Sequence, residues 1–87
     1  MSLEKDIEKA LKDRKALLGS RSVLSAARLG RIESLIYANN VPKRTISDIR
    51  HFSGISGFKT HEFSGNSLEL GELCGKPFSV LVLGITK

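Results

Sequence analysis

Apolar residues recur along the chain in alternating helix-like and strand-like patterns. Near the N-terminus they recur at helical spacing between charged residues, which predicts an amphipathic helix over residues 3–15 with Ser2 as its N-cap. The short apolar run at residues 16–18, which ends at Gly19, indicates a buried strand. One apolar or small face through residues 23–27 then predicts a second helix, with Gly30 as its C-cap.

The remaining elements continue the alternation of strand and helix. In chain order they are a strand over residues 34–38, a helix that starts at Pro42 and ends within residues 54–57, a strand over residues 58–63, a short helix capped within residues 64–67 and ended by Gly75 and Pro77, and a strand over residues 78–86. Such alternation predicts a central, mostly parallel sheet with helices on both faces.

The 87 residues are enough for one small domain with a single core, so we expect residues 1–87 to form a single domain. A formal net charge of +5 suggests a polyanionic partner, although charge alone does not separate RNA from a membrane surface. The excess is localised, because residues 1–15 are nearly balanced whereas residues 19–44 carry five basic side chains against Glu33.

Several kinds of site are excluded by the residues present. Cys74 is the only cysteine, which excludes an intrachain disulfide and a multi-cysteine metal site, and we expect its side chain to pack as a small apolar group. His51 and His61 stand apart, and no residue is marked as a nucleophile or a catalytic acid–base pair. Residues 71–77 lack the glycine spacing of a phosphate loop. We expect no catalytic residue, no metal ligand and no cofactor.

No segment of the sequence is predicted to enter a membrane. The N-terminal residues lack the apolar core of a signal peptide, and no apolar run approaches the roughly 18 residues of a membrane span. These features, together with the single cysteine, predict a soluble cytoplasmic protein without a membrane partner.

The junction between the first strand and the second helix is the first candidate for ligand binding. Gly19 allows another backbone to approach, Ser20 and Ser22 offer hydroxyl groups, and Arg21 can bind phosphate oxygens or a guanine edge. Arg28 follows two helical turns later and can extend a basic stripe. The same residues are also compatible with a helix cap beside a solvated arginine.

Three segments carry a family resemblance. They are LLGSRSVLSAARLGR at residues 17–31, ANNVP at residues 38–42, and the pattern F-x-G-x-S-x-E-L-G-x-x-x-G-x-P at residues 63–77. With them, the chain resembles, over residues 3–85, the archaeal and eukaryotic large-subunit ribosomal protein thirty family (thirty-e type) of the kink-turn RNA-binding, seven-Ae superfamily. The resemblance implies a three-layer α/β/α sandwich on a four-stranded mixed sheet. It also implies non-catalytic binding, through three loops, of a sharply bent RNA duplex whose bulge is flanked by sheared G·A pairs.

The resemblance also implies roles for individual residues. Gly19 matches a glycine that lets RNA approach, Arg21 matches a basic residue at the RNA, and Asn40 matches an asparagine that contacts a base, although a turn role fits Asn40 too. Phe78 falls on the loop that packs against the extruded nucleotide, and a core position in the last strand fits it equally. The expected RNA-binding set is Gly19, Ser20, Arg21, Ser22, Arg28, Asn40, Lys43, Arg44, Lys76 and Phe78.

Other interpretations stay open at this level. Ser22 and Ser25 stand where some relatives carry charged residues, and the chain stops at Lys87, earlier than ribosomal relatives, which fits a paralogue or a truncated chain. The RNA could be ribosomal, a guide RNA, a processing RNA or the protein's own message, bound by a chain that is monomeric when free. The alternatives are a small nucleotide-binding α/β domain or enzyme subunit that uses the helix start at Gly19 and Ser20, and a protein-interaction subunit with a basic edge.

Overall fold

The computed structural model describes residues 3–87, in which four helices and four strands follow one another in the predicted order. The elements are α1 (Leu3–Lys12), β1 (Ala16–Leu18), α2 (Ser20–Arg28), β2 (Ile32–Tyr37), α3 (Lys43–Ser56), β3 (Lys59–Glu62), α4 (Ser67–Leu73) and β4 (Val82–Thr86). The predicted N-cap Ser2 lies outside the described residues.

The four strands form one mixed sheet in the order β1-β4-β2-β3. β2 and β3 are parallel, whereas β4 lies between β1 and β2 and is antiparallel to both. The expectation of a mostly parallel sheet is therefore wrong, and the mixed sheet implied by the resemblance is confirmed. β4 runs the other way because the chain after α4 returns to the edge at which α4 began, where the Val80 N–H donates to the Ser67 carbonyl at 2.9 Å.

Both faces of the sheet are covered by helices, which gives three layers. Successive residues of β2 alternate between the faces, so that Leu35 packs under α2 and α3 while Ile36 packs under α1 and α4. The first face includes Val23, Ala26, Ala27, Ile49 and Val82, and the second includes Ile7, Leu70, Cys74, Val80 and Leu83. The α/β/α sandwich is confirmed.

Cys74 lies in the second of these cores, where it packs as a small apolar residue, as expected. Burial raises the pKa of its thiol, an effect that nearby Lys76 partly opposes.

Several elements end at other residues than the pattern predicted. α1 stops at Lys12 because Arg14 adopts a left-handed conformation, with φ 58°, and the Lys15 N–H donates to the Ala10 carbonyl at 2.8 Å. β1 is an edge strand whose residues are only half-buried, which corrects the expectation of a buried strand. β2 starts two residues earlier than expected, at Ile32, and ends at Tyr37.

The third helix begins after Pro42 and ends within residues 54–57, as predicted, whereas the last two strands are shorter than expected. α3 continues through Gly54 to Ser56, since an interior glycine costs only about 1 kcal/mol and Ile49 anchors the helix in the core. β3 is shorter than expected, and its four residues are exposed at the other edge of the sheet. β4 begins at Val82, so residues 78–81 belong to a loop and not to the strand.

Candidate functional site

Four connections meet at one edge of the sheet, which we call the loop edge. β1, β2 and β3 end there, and the chain returns there along α4 to begin β4, so the loop edge consists of residues 19–20, 38–42, 63–66 and 78–81. Main-chain hydrogen bonds join these segments directly. The Gly19 N–H donates to the Val82 carbonyl at 3.0 Å, the Ala38 N–H to the Leu81 carbonyl at 2.8 Å, and the Asn39 N–H to the Gly65 carbonyl at 2.9 Å.

α2 and α3 both begin at the loop edge, and their N-termini are open. The N-cap positions are Gly19 and Pro42, neither of which caps its helix through a side chain, and neither first turn contains an acidic residue. The first turns instead contain Arg21, Lys43 and Arg44, all exposed. A helix N-terminus carries a partial positive charge, so basic side chains beside it are electrostatically unfavourable for the helix. An anion bound there would be attracted by the helix N-terminus and by the basic side chains.

α4 provides a contrast, because its N-terminus is satisfied within the chain. The Asn66 side-chain oxygen accepts a hydrogen bond from the Glu69 N–H at 2.9 Å, and the Glu69 carboxylate lies in the first turn. The predicted capping role of residues 64–67 is thus confirmed for Asn66. Of α2, α3 and α4, the first two therefore have N-termini that remain available to an outside anion.

Gly19 gives the start of α2 an open approach. Its φ of 98° lies in the region that favours glycine, and a Cβ placed on it would meet nothing within 4 Å. The space over its Cα is therefore open to another molecule. Ser20 is the first residue of the helix and Ser22 is exposed two residues later, so neither serine acts as the N-cap, and no side chain caps the helix.

The Asn40 side chain bridges two parts of the loop edge. Its Oδ1 accepts from the Ser67 N–H at 2.8 Å, and its Nδ2 donates to Ser67 Oγ at 3.1 Å. The side chain therefore clamps the β2–α3 loop to the start of α4 and does not form a local turn. Each amide atom keeps one further hydrogen-bonding position, so contact with a base stays a prediction.

Phe78 lies in the loop between α4 and β4, where 54% of its surface is exposed. The interpretation of Phe78 as a core residue of the last strand is wrong, because β4 starts four residues later. Lys76 is also exposed in this loop. The structure thus places Phe78 at the loop edge together with predicted residues from the other connections. They are Gly19, Ser20, Arg21, Ser22, Asn40, Lys43 and Arg44.

Two predicted residues lie away from the loop edge: Lys76 follows the C-terminal end of α4, where its N–H donates to the Gly71 carbonyl, and the other is Arg28. It lies seven residues after Arg21, about 10 Å further along α2, and its guanidinium stands 5.8 Å from the centre of the Phe52 ring on α3. This distance is typical of a cation–π contact, so Arg28 joins the two helices.

Ser67 and Gly71 are the residues of the edge that sequence reasoning missed. Ser67 is only 8% exposed and holds both Asn40 and, through its carbonyl, Val80. Gly71 lies under the Phe78 loop. Both belong to the motif at residues 63–77, which is the signal that could have identified them.

Within residues 3–87, no group of three or more histidine, cysteine or acidic side chains is placed to hold a metal ion. None of the helices in that range is both long enough and apolar enough to cross a membrane. His51 and His61 are exposed on different elements.

Comparison with known proteins gives concordant matches. The model of the Ribosomal protein L7Ae/L30e/S12e/Gadd45 family matches residues 1–87. The large ribosomal subunit protein eL30 of Methanosphaera stadtmanae is 42% identical over 95% of this chain and 85% of the relative, and that of Branchiostoma belcheri is 35% identical over 98% and 75%. A solved structure titled "Giardia lamblia 15.5kD RNA binding protein" has the same fold, with a TM-score of 0.86, 19% identity, and coverage of 98% of this chain and 71% of that one.

Proposed function

Because the chain belongs to the Ribosomal protein L7Ae/L30e/S12e/Gadd45 family, we propose that it is an RNA-binding protein of the large ribosomal subunit, or a close paralogue. The curated relatives are ribosomal proteins, and the chain is accordingly not an enzyme. In this proposal residues 1–87 act as a single RNA-binding domain, monomeric when free, that joins a ribonucleoprotein in the cytoplasm. The ligand is a kink-turn, in which a bulge flanked by sheared G·A pairs bends the duplex.

One observation carries the proposal. Two open helix N-termini with basic first turns lie at the same edge as an exposed aromatic ring. The helix starts with Arg21, Lys43 and Arg44 suit backbone phosphates, and the Phe78 ring suits an extruded base. A straight duplex offers the phosphates without the extruded base, so it would use only half of this surface.

The proposal predicts a preference for bent RNA. A kinked duplex should bind at least about 5-fold more tightly than a matched straight duplex, since stacking on one base contributes about 1–3 kcal/mol. The measurement is fluorescence anisotropy with a synthetic duplex whose bulge is flanked by G·A pairs. The control duplex lacks the bulge and carries Watson–Crick pairs in place of the G·A pairs. Equal affinities at several salt concentrations would leave only general charge attraction.

Arg21→Ala should weaken binding to kinked and straight duplexes alike, because a phosphate contact carries no sequence information. Removing one such contact should reduce the slope of log K against log salt by about 1. The fold should be unchanged, since Arg21 is exposed.

The matched control is Arg31→Ala, which removes the same charge from just before β2, at the edge of the sheet opposite the loop edge. If both substitutions weaken binding equally, net charge and not the loop edge determines affinity.

The open N-terminus of α2 also supports a second candidate, a mononucleotide phosphate bound at Gly19 and Ser20. Titration calorimetry with ATP and with GTP separates the two. Measurable binding of either nucleotide, without any preference for kinked RNA, would favour this second candidate.

A further inference from the structure

The loop that carries Phe78 folds back along α4 and is held there by main-chain contacts. The Lys76 N–H donates to the Gly71 carbonyl at 3.0 Å, and the Val80 N–H donates to the Ser67 carbonyl at 2.9 Å. Between these two bonds the carbonyl of Phe78 lies directly over Gly71. The loop is therefore held against α4 between Lys76 and Val80.

Gly71 is the point where this contact is closest. A Cβ added there would overlap the carbonyl oxygen of Phe78 and would lie 3.2 Å from the carbonyl carbon and 3.3 Å from Ser79 Cα. All three atoms belong to the main chain, so no side-chain rotation could relieve the overlap. The loop itself would have to move away from α4.

The conformation of Gly71 does not explain the presence of glycine. Gly71 lies within α4 and is absent from the glycines with positive φ, so any residue could adopt its backbone geometry. Alanine would also favour the helix more than glycine does. The available space therefore accounts for the glycine: only a hydrogen fits between α4 and the Phe78 carbonyl.

We infer that Gly71 is a positioning residue for RNA recognition: by admitting the loop against α4, it sets the Phe78 ring where it meets the extruded nucleotide. The ring is more than half exposed, so the backbone of its loop, more than neighbouring side chains, determines where it stands. This inference rests on the proposed function, in which Phe78 binds a base.

Gly71→Ala tests the inference, and Gly54→Ala is its matched control. Gly54 is also an interior helix glycine, but a Cβ added there meets nothing within 4 Å. Gly71→Ala should weaken binding to the kinked duplex by about 5- to 10-fold, a part of the stacking contribution, and leave binding to the straight duplex unchanged. Gly54→Ala should leave both affinities unchanged.

A double-mutant cycle with Phe78→Ala separates positioning from general damage to the structure. If Gly71 acts through Phe78, adding Gly71→Ala to Phe78→Ala should cause no further loss of kinked-duplex affinity. If the two losses multiply, Gly71 acts by another route and the inference is overturned.

Hydrogen exchange of the RNA-free protein tests whether Gly71 places the loop, independently of the proposed RNA binding. The Lys76 and Val80 amides should exchange faster in Gly71→Ala than in the wild type and in Gly54→Ala, because the loop has moved off α4. Unchanged exchange at both amides overturns the inference whatever the RNA results. If exchange changes but the wild type does not prefer kinked RNA, the proposed function fails while the placement of the loop by Gly71 stands.

Pro77→Gly provides a second variant should Gly71→Ala fail to fold. Pro77 is exposed, and glycine at this position loosens the loop without adding an atom under it. Kinked-duplex affinity should fall and straight-duplex affinity should stay the same. Unchanged affinity for the kinked duplex would show that the placement of the loop does not matter.

Discussion

Phe78→Ala is expected to weaken binding to a kinked RNA duplex by about 1–3 kcal/mol, or roughly 5- to 150-fold, because the extruded base loses its stacking partner. Folding should be little affected, since 54% of the Phe78 surface is already exposed. Surface substitutions of this kind usually change the free energy of unfolding by no more than about 0.5 kcal/mol. Anisotropy titration gives the affinity and urea denaturation gives the stability.

Two substitutions control for the loss of an exposed apolar side chain. Leu29 and Ile55 are 65% and 70% exposed, and they lie where α2 and α3 end, away from the loop edge. Leu29→Ala and Ile55→Ala should leave RNA affinity unchanged. A loss with either control as large as that with Phe78→Ala would mean that the Phe78 ring is not a specific contact.

Asn40→Ala should lower the free energy of unfolding by about 1–3 kcal/mol. The substitution removes the acceptor of the Ser67 N–H and the donor to the Ser67 hydroxyl, and Ser67 is buried. RNA affinity should fall as well, because the β2–α3 loop and α4 are no longer joined by a side chain. Urea denaturation and anisotropy titration measure the two effects.

Asn39→Ala is the matched control, since Asn39 contacts Gly65 through its main-chain N–H, which alanine retains. Asn40→Asp provides a second comparison. Aspartate keeps the acceptor for the Ser67 N–H and can accept from its hydroxyl, so stability should largely return, while the added negative charge should still weaken RNA binding. Equal stability of Asn39→Ala and Asn40→Ala would show that the clamp contributes little.

The order of helices and strands was predictable because each element carries its own periodicity. The direction of β4 was not, since it depends on a contact between segments. Six of the nine residues 78–86 are apolar, a pattern that suits a strand throughout. The bond from the Val80 N–H to the Ser67 carbonyl instead holds the first part of this run against α4. The resemblance, and not the periodicity, predicted the mixed sheet.

Part of the candidate site was also predictable from the sequence, and part was not. The positions of Arg21, Lys43 and Arg44 at one edge follow from local order, because each helix start is joined by a short connection to a strand that ends there. The clamp between Asn40 and Ser67 joins residues 27 positions apart, and a single sequence carries no sign of that pairing. Whether Phe78 was buried or exposed likewise depended on where β4 begins.

Both outer strands of the sheet are short, with three residues in β1 and four in β3. Edge strands this short offer few unpaired main-chain groups to which a neighbouring molecule could add a strand. Lys59 and Glu62 also place charges on β3. The protein should therefore resist edge-to-edge aggregation at high concentration.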